Sequence, residues 1–293
     1  MTKEDKLIQL FLWVCDSYNN HKALSQQRFS NNQVPLFSDQ EMVTIYLWGH
    51  CQKHTQLRAI YDYSADHWLH WFPQLPSYQV FSQRLNNFCE IWEILLQDLW
   101  PPLLEGLPGD RVLDSRPIML AVRGRSGKAK VTREHADKGY CATKKMYYHG
   151  VKLHLLGQRQ AGRLPRPEEL ALTEASRHDL PVLQDVFQLC SAGTLFGDKA
   201  YQAAETKEAL AAQGVSLCTP DKKKPRQEHY GIGASGLWSR FVSSLRQPIE
   251  SFFNWLIAKT GIQDASRVRS GNGLLVHCYG KLTFAFYLLK FNP

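Results

Sequence analysis

The 293-residue sequence has no apolar run that approaches the roughly 20 residues of a membrane-spanning helix, so we expect a soluble protein with no membrane partner. Its seven cysteines are scattered, and no two of them have the CxxC spacing. This argues against a disulfide framework and favours a reducing cytoplasm. The sequence also lacks a GxxxxGK(S/T) phosphate loop and a GxSxG nucleophile turn, which argues against ATP-driven chemistry and against a nucleophile elbow.

The composition is otherwise that of an ordinary globular protein with an excess of positive charge. Hydrophobic residues make up 44% of the chain and charged residues 21%, which excludes a disordered chain, a collagen-like repeat and a coiled-coil rod. The 35 Lys and Arg residues outnumber the 27 Asp and Glu residues and give a net charge of +8. This balance favours a polyanionic partner.

The charge is unevenly distributed along the chain. Residues 1–105 carry a net charge of −4, whereas residues 106–293 carry +12. Within the second part, residues 111–166 alone contribute +11. We therefore expect two domains with different roles, and the basic segment is either a nucleic-acid-binding surface or a solvated face.

Residues 1–105 are predicted to form a small helical domain of four or five helices. Ser38 and Glu41 have the spacing of a capping box at the start of one helix, and another helix is expected to run from Ser77 toward Trp100. A bundle of this size is the usual shape of a helix-turn-helix reader. The domain is therefore either a DNA-end-binding domain or a purely structural one.

Beyond residue 105 the pattern changes to strands alternating with helices. Three strands come first, followed by helix, strand, helix, strand and helix. This is the order of a ribonuclease-H-like α/β domain with a mixed sheet, in which the first and fourth strands lie side by side, so the whole chain is predicted to be α+β. The expected strands are 111–119, 147–156, 169–174, 194–198 and 215–219, and the expected helices are 181–190, 202–213, 237–259 and 273–291.

Three acidic residues in this part suggest a metal site. Asp114 lies in the apolar first strand and Asp198 at the end of the fourth, where a charged side chain is costly without a compensating role. Glu250 stands beside the apolar stripe of a late helix. Taken singly, each acid also fits a turn, a cap or an exposed surface. Together, three converging carboxylates could hold two Mg²⁺ or Mn²⁺ ions, an arrangement that suits phosphodiester displacement.

The chain contains, in this order, the segments VLDSRPI, ADKGYCATKKMYYHGVKLH, EASRHDLPVL, GDKAY and RQPIESFFNWL. Over residues 30–290 it resembles the DDE-type transposases of bacterial insertion sequences, most closely the insertion sequence 982 group. The resemblance implies that Asp114, Asp198 and Glu250 are the catalytic metal ligands. It also implies that water nicks DNA at the transposon end and that the freed 3′-hydroxyl then attacks target DNA.

The helix with the glutamate departs from the Tyr, Arg, Glu and Lys signature of related transposases. Arg246 stands four residues before Glu250 as expected, and the resemblance implies that it grips phosphate. Ser243 occupies the Tyr position, and Lys259 is the nearest substitute for the signature Lys. Pro248 is expected either to kink the helix or to lie in its first turn, which would leave Arg246 outside it.

Further DNA contacts are predicted from basic and aromatic residues. Lys199 and Tyr201 closely follow the second catalytic Asp and are candidates for contact with the scissile phosphate or terminal bases; the alternative is a surface Lys and a core Tyr. Lys144, Lys145 and Lys152 suit phosphate contacts along a DNA path, with base stacking on the aromatic residues among them. These interleaved residues are Tyr147, Tyr148 and His149.

Other interpretations share parts of this pattern. His50 and His54 could suggest zinc, but their spacing fits no standard zinc finger. A structure-specific nuclease would keep the fold and the metals but stop at hydrolysis, and an inactive domesticated relative would only bind DNA. The intact acids disfavour inactivity, whereas the incomplete signature on the glutamate helix leaves it open.

The favoured prediction is a DNA transposase with two Mg²⁺ or Mn²⁺ ions in each active site. Its substrates would be double-stranded DNA, namely the terminal inverted repeats of a transposon and the target. By analogy with transposases that assemble on paired ends, we expect a homodimer on DNA. The expected location is the bacterial cytoplasm, in association with the nucleoid.

Overall fold

A computed structural model describes residues 2–21, 24, 35–100, 109–185, 192–221 and 234–291 of the protein. The chain divides into two units, one mainly helical and the other α/β. The helical unit consists of Met1–Trp100, Ala258–Ile262 and Val268–Pro293. The α/β unit consists of Pro101–Ile257 and Gln263–Arg267.

Within the described residues, the helices are α1 Lys3–Asn20, α2 Asp39–Cys51, α3 Leu57–His67, α4 Tyr78–Asn87, α5 Ile91–Leu99, α6 Asp179–Asp185, α7 Ala204–Ala212, α8 Ala234–Thr260, α9 Gly271–Leu275 and α10 Lys281–Phe291. The strands are β1 Gly109–Val122, β2 Asp137–Cys141, β3 Met146–Gln158, β4 Arg166–Glu174, β5 Gly193–Phe196 and β6 Val215–Cys218. Short 3₁₀ turns cover Arg123–Arg125 and Lys199–Tyr201, and a π-helical turn over Val276–Gly280 joins α9 to α10.

Helix α2 is the buried helix of the helical unit. It begins at the predicted capping box, where the Glu41 backbone N–H donates to Ser38 Oγ at 3.2 Å and the Ser38 N–H donates to the Glu41 carboxylate at 2.6 Å. Every residue from Met42 to His50 is buried. Because α2 is buried on all faces, apolar residues occur all around it and its sequence has only a weak amphipathic pattern.

Helix α10 packs on helices from the start of the chain. Thr283 Oγ1 donates to the Trp92 carbonyl oxygen at 3.0 Å, and the ring of Phe284 stacks on His50 with centroids 5.1 Å apart. His50, which the sequence offers as a zinc ligand, therefore lies in an aromatic core. Burial there lowers the pKa of His50 well below its ordinary value.

The boundaries of the two units differ from the predicted division of the chain at residue 105. The α/β unit does begin at Pro101, but Val268–Pro293 belongs to the helical unit although it lies at the other end of the sequence. An apolar pattern indicates that a helix is buried without identifying the helix that covers it, so the sequence could not make this assignment. Separate roles for residues 1–105 and 106–293 stay a prediction.

In the part of the chain that the structure describes, the α/β unit is built on a six-stranded sheet. Its main path is β2-β3-β1-β5-β6, and β4 pairs with β3. Strands β1, β3 and β4 are antiparallel neighbours, whereas β5 runs parallel to β1 and β6 parallel to β5. Three antiparallel strands followed by two parallel ones, with β1 and β5 adjacent, form the ribonuclease-H-like topology. The predicted fold is confirmed.

The ends of several elements differ from the prediction. Strand β5 ends at Phe196, so Asp198 follows the strand instead of lying within it. The sequence does not predict β2, because five residues that include Asp, Lys and Gly show little of a strand's apolar alternation. The helix predicted from Ser77 toward Trp100 is two helices, α4 and α5. The helix predicted over 181–190 is α6, and its part beyond Asp185 lies outside the described residues.

Helix α8 continues through Pro248. It begins at Ala234, so Pro248 does not lie in its first turn and Arg246 is part of the helix; the interpretation that leaves Arg246 outside is wrong. Because proline has no backbone N–H, the Ser244 carbonyl oxygen does not receive the hydrogen bond that residue 248 would otherwise donate. Burial of the core-facing side of the helix offsets this loss. The buried side chains on that side are Val242, Ile249, Phe252, Phe253 and Leu256.

The close approach of β1 and β3 at Gly150 gives a test of the sheet. A Cβ there would lie 2.0 Å from the carbonyl oxygen of Ile118, a backbone atom of the paired strand. We expect Gly150→Ala to lower the free energy of unfolding by at least about 2 kcal/mol in urea denaturation. Gly124→Ala is the matched control, because a Cβ there would meet nothing within 4 Å. Equal losses in the two variants would contradict the prediction.

Candidate active site

A cavity of about 440 Å³ in the α/β unit brings together the three acids singled out from the sequence. Its ionisable lining residues are Asp114, Arg116, Tyr140, Cys141, Lys144, Tyr148, Lys152, Asp179, Asp198, Arg246 and Glu250. Strand β1, the chain after β5 and helix α8 each contribute one of the predicted catalytic acids.

Asp114 is a largely buried carboxylate in the middle of β1, with a side chain that is 16% exposed. The Ser115 backbone N–H donates to its Oδ1 at 2.9 Å, and Nη2 of Arg246 lies 3.7 Å from the same oxygen. Burial raises the pKa of Asp114 to about 6, although the positive charges of Arg246 and Arg116 act in the opposite direction. The carboxyl therefore loses its proton less readily than an exposed aspartate.

Asp198 reaches the cavity because β5 runs parallel to β1. The residue pair Val112 and Phe196 is the last one of this ladder, so the chain after Phe196 leaves the sheet beside Asp114. Asp198 then caps a short 3₁₀ turn and accepts a hydrogen bond from the Ala200 N–H at 2.7 Å. The negative charge of Asp198 also raises the pKa of Asp114, as expected for neighbouring carboxylates.

Helix α8 supplies Arg246 and Glu250 from one face, because residues four apart are neighbours on a helix. Glu250 is exposed and lines the cavity. Arg246 is only 7% exposed, and in the described part of the protein its buried Nε has no hydrogen-bond partner. A buried donor without a partner is costly, so this guanidinium has capacity for an oxygen ligand that enters the cavity.

Asp179 is a fourth acid in the cavity, and the sequence suggests it either as a cap of the following helix or as a residue that supports the catalytic acids. Its Oδ1 accepts a hydrogen bond from Ser115 Oγ at 3.1 Å and lies 3.3 Å from Nζ of Lys152. Lys152 also donates to the Arg177 carbonyl oxygen at 2.7 Å. The ammonium of Lys152 is thus held by the protein itself while it lines the cavity, and its contact with phosphate stays a prediction.

The other predicted DNA contacts are spread over different environments. Lys144 lines the cavity and donates to Gln263 Oε1 at 2.7 Å, and Lys145 is exposed in the turn between β2 and β3. Lys199 is exposed, and neither Lys199 nor Lys259 is among the residues that line the cavity.

Tyr201 corrects the prediction that it contacts DNA. It is 1% exposed and packs with Leu113, Leu195 and other residues in the core of the α/β unit. Its alternative interpretation, a core tyrosine, is the one that fits the structure. Burial, followed by the negative charge of Asp179, raises its pKa well above the ordinary value.

The sequence does not predict Arg116 as a lining residue of the cavity, and it does not predict that Tyr147, which it names for base stacking, is paired with Tyr140. Arg116 lines the cavity two residues after Asp114, on the same side of β1. Tyr140 and Tyr147 are cross-strand partners that are 52% and 55% exposed, with ring centroids 5.1 Å apart. Two-residue alternation along β1 could have indicated Arg116, but the tyrosine pair depends on strand β2, which the sequence does not reveal.

The family is decided by the comparison of the sequence with known domains. The sequence model of the transposase DDE domain matches residues 110–287, which is more than half of the chain. The chain belongs to the transposase DDE domain family. It is a DNA transposase, an enzyme whose partner is DNA.

Similarity to individual proteins is more distant. No curated protein matches the transposase in sequence. Among solved structures, it is similar to the piggyBac transposase in a cryo-EM structure of the synaptic complex with hairpin DNA. That alignment covers 97% of this chain and 72% of that one, with 8% sequence identity and a TM-score of 0.48. No helix in the described ranges has the length and apolar character needed to cross a membrane.

DDE transposases generally use divalent metal ions, and the oxygen donors of the cavity fit such ions in their chemistry. Asp114, Asp198 and Glu250 line one cavity and offer carboxylate oxygens only. They share the cavity without forming a tight cluster: among the described residues, no three His, Cys, Asp or Glu side chains are grouped closely enough to hold an ion. Their role as metal ligands stays a prediction.

The raised pKa of Asp114 predicts a pH-dependent stability of the metal-free protein. The unfolded carboxyl titrates near pH 4 and the folded one near 6, so stability falls as the pH rises through this window. In a chelating buffer we expect Asp114→Asn to raise the free energy of unfolding by about 1–3 kcal/mol at pH 7.5 and by much less at pH 4. Urea denaturation at the two pH values measures this difference.

Glu174→Gln is the control for this measurement, because Glu174 is an exposed carboxylate on β4 of the same unit. We expect it to change stability by less than about 0.5 kcal/mol at either pH. An Asp114→Asn variant that is no more stable than the parent protein at pH 7.5 would contradict the argument from burial.

Proposed function

We propose that this transposase belongs to the insertion sequence 982 group, cleaves DNA at the terminal inverted repeats of its element and joins the freed 3′-hydroxyl to target DNA. The observation that carries the proposal is the meeting of Asp114, Asp198, Glu250 and Arg246 in one cavity. These residues come from two strand regions and a helix that are far apart in the sequence. A purely structural role for each acid would not require a common cavity.

The proposed catalytic residues are Asp114, Asp198 and Glu250, which would hold two Mg²⁺ or Mn²⁺ ions. Such a pair of ions polarises phosphoryl oxygens and stabilises the attacking and leaving oxygens of an in-line displacement. The carboxylates contribute the negative charge and the hard oxygen donors that these ions prefer. The backbone N–H groups of Ser115 and Ala200 orient two of them, at 2.9 and 2.7 Å.

Arg246 is the proposed phosphate-binding group on α8. Its guanidinium lies 3.7 Å from Asp114, and it is held in place by burial. As a phosphodiester reacts, its non-bridging oxygens keep negative charge that fixed donors can stabilise without rearranging. Arg246 would supply such donors next to the carboxylates, and the hydrogen-bonding capacity of its buried Nε supports this role.

The hairpin of β2 and β3 is proposed as the path of the DNA toward the cavity. Lys138, Lys144 and Lys145 are exposed along it, and Nζ of Lys138 lies 4.5 Å from the ring centroid of Tyr147. The paired rings of Tyr140 and Tyr147 offer aromatic surface on which bases can stack. Positive charge beside exposed aromatic rings is the usual composition of a nucleic-acid surface.

The assembly and location of the enzyme complete the proposal. Two ends of one element must be brought together for joining to target DNA, so we propose a homodimer on DNA. The helical unit would contribute to end recognition. The reaction would take place in the bacterial cytoplasm, at the nucleoid.

Removing any catalytic carboxylate tests the proposal directly. We expect each of Asp114→Ala, Asp198→Ala and Glu250→Ala to lower metal-dependent cleavage by at least about a hundredfold, because each deletes a proposed metal ligand. The substrate is the DNA that flanks the gene on either side, and cleavage is followed on denaturing gels with Mg²⁺ or Mn²⁺.

Asp185→Asn is the matched control, because Asp185 is an acid of the same unit that does not line the cavity. We expect it to cleave at the parent rate. The catalytic assignment is wrong if an alanine variant that binds DNA normally also cleaves at that rate.

The salt dependence of DNA binding tests the proposed path. Each phosphate contact made by a cation contributes about 0.9 to the slope of log K against log salt concentration. We expect the triple variant Lys138→Ala, Lys144→Ala, Lys145→Ala to bind duplex DNA more weakly at low salt, with a slope reduced by about 3. Fluorescence anisotropy in a chelating buffer measures both quantities.

The corresponding triple Lys→Arg variant keeps the charges and should keep the slope of the parent protein. If the alanine variant also keeps that slope, the DNA does not follow this hairpin.

A further inference from the structure

Arg116 is a cation without an ion-pair partner within the ranges that the structure describes, although it lines a cavity with four acids. Arg246 and Lys152, by contrast, lie 3.7 and 3.3 Å from carboxylate oxygens of Asp114 and Asp179. The Nε of Arg116 is buried and has no hydrogen-bond partner in the same ranges. Arg116 therefore keeps hydrogen-bonding capacity, although its charge acts on Asp114.

The guanidinium of Arg116 is held in position by packing. Its Cζ lies 5.5 Å from the ring centroid of Phe253, a fully buried residue of α8. A guanidinium over an aromatic face keeps its hydrogen-bond donors free at the edge. Such a group loses little further freedom when it binds a planar or tetrahedral oxyanion.

The position of Arg116 relative to Asp114 fits a ligand that touches both. The two residues are separated by one residue on β1, so their side chains leave the same face of the strand, about 7 Å apart along it. Arg246 approaches the same carboxylate from α8. A phosphate group between Asp114 and α8 would therefore lie within reach of two guanidinium groups.

We propose that Arg116 binds the non-bridging oxygens of a single DNA phosphate at the reaction centre, together with Arg246. This inference rests on the proposed function, since it assigns the phosphodiester of the same cavity to a second arginine. The alternative is a structural role, in which Arg116 only balances the charge of Asp114. That role requires no contact with DNA.

The two roles differ in their dependence on one phosphate. A methylphosphonate replaces a charged non-bridging oxygen with a methyl group, so it removes the acceptor that Arg116 would bind. The probes are duplexes of the DNA that flanks the gene, each with one methylphosphonate, scanned along the end. Binding is measured by anisotropy in a chelating buffer, where cleavage does not interfere.

We expect one phosphate whose replacement weakens binding of the parent protein about tenfold, as for a hydrogen bond to a charged group. Arg116→Gln should bind the unmodified duplex about tenfold more weakly and lose nothing further at that phosphate. Penalties that are independent at every position would overturn the proposal. Because this readout needs no metal and no cleavage, its result is separate from that of the alanine variants of the three acids.

Arg125→Gln controls for the general effect of charge, since Arg125 is an exposed arginine outside the cavity. The methylphosphonate at the phosphate identified with Arg116 should weaken the binding of Arg125→Gln as much as it weakens the binding of the parent protein. If Arg125→Gln abolishes this loss as Arg116→Gln does, the effect is a long-range field and the proposal is overturned. Arg116→Lys keeps the charge and serves if the Gln variant is unstable. It should show weaker coupling at the same phosphate, and an absence of coupling in a folded Lys variant would also overturn the proposal.

Discussion

The parallel pairing of β1 with β5 is the constraint on which the cavity depends. These strands come from distant parts of the chain, and their ladder ends at Val112 and Phe196. Because β5 runs parallel to β1 and ends opposite Val112, the chain that follows it brings Asp198 beside Asp114 wherever this register holds. The contacts of α8 with β1 then add Arg246 to the same place. Without the β1 and β5 ladder the acids would have no common neighbourhood.

The chemistry of the cavity conflicts with the ordinary demands of a protein core. A strand in the middle of a sheet is stabilised by apolar side chains. Asp114 is nevertheless a carboxylate on such a strand, flanked in the sequence by the buried residues Leu113 and Ile118, and it lines the cavity. Burial destabilises its charged form, and the nearby arginines offset only part of this cost. The same low polarity strengthens the interaction of those arginines with any anion that enters. A site of this kind exchanges stability for binding strength, as functional sites commonly do.

The sequence is sufficient to predict the fold class and to single out three acids that line one cavity, because each of these acids gives a local signal. Asp114 interrupts an apolar strand and Glu250 stands directly beside the apolar stripe of an amphipathic helix, and both features are visible in a window of ten residues. Tyr201 shows where such reasoning fails, and Lys152 has a protein partner that the sequence does not reveal. Whether a tyrosine after a strand faces solvent or the core, and whether a lysine meets phosphate or Asp179, depends on packing between segments. The sequence does not single out Arg116 as a lining residue of the cavity, because an arginine in a basic segment is not distinguishable from an exposed surface arginine.

Pro248 in α8 has a mechanical consequence. Because proline has no N–H, the Ser244 carbonyl oxygen lacks its usual donor, and bending at this turn breaks one bond fewer than elsewhere in the helix. The weakened turn runs from Ser244 to Pro248 and contains Arg246. Glu250 follows this turn, on a segment that is anchored by the buried side chains of Ile249, Phe252 and Phe253. The part of α8 before the turn is largely exposed, so bending there would change the direction of that part while the segment with Glu250 stays in the core.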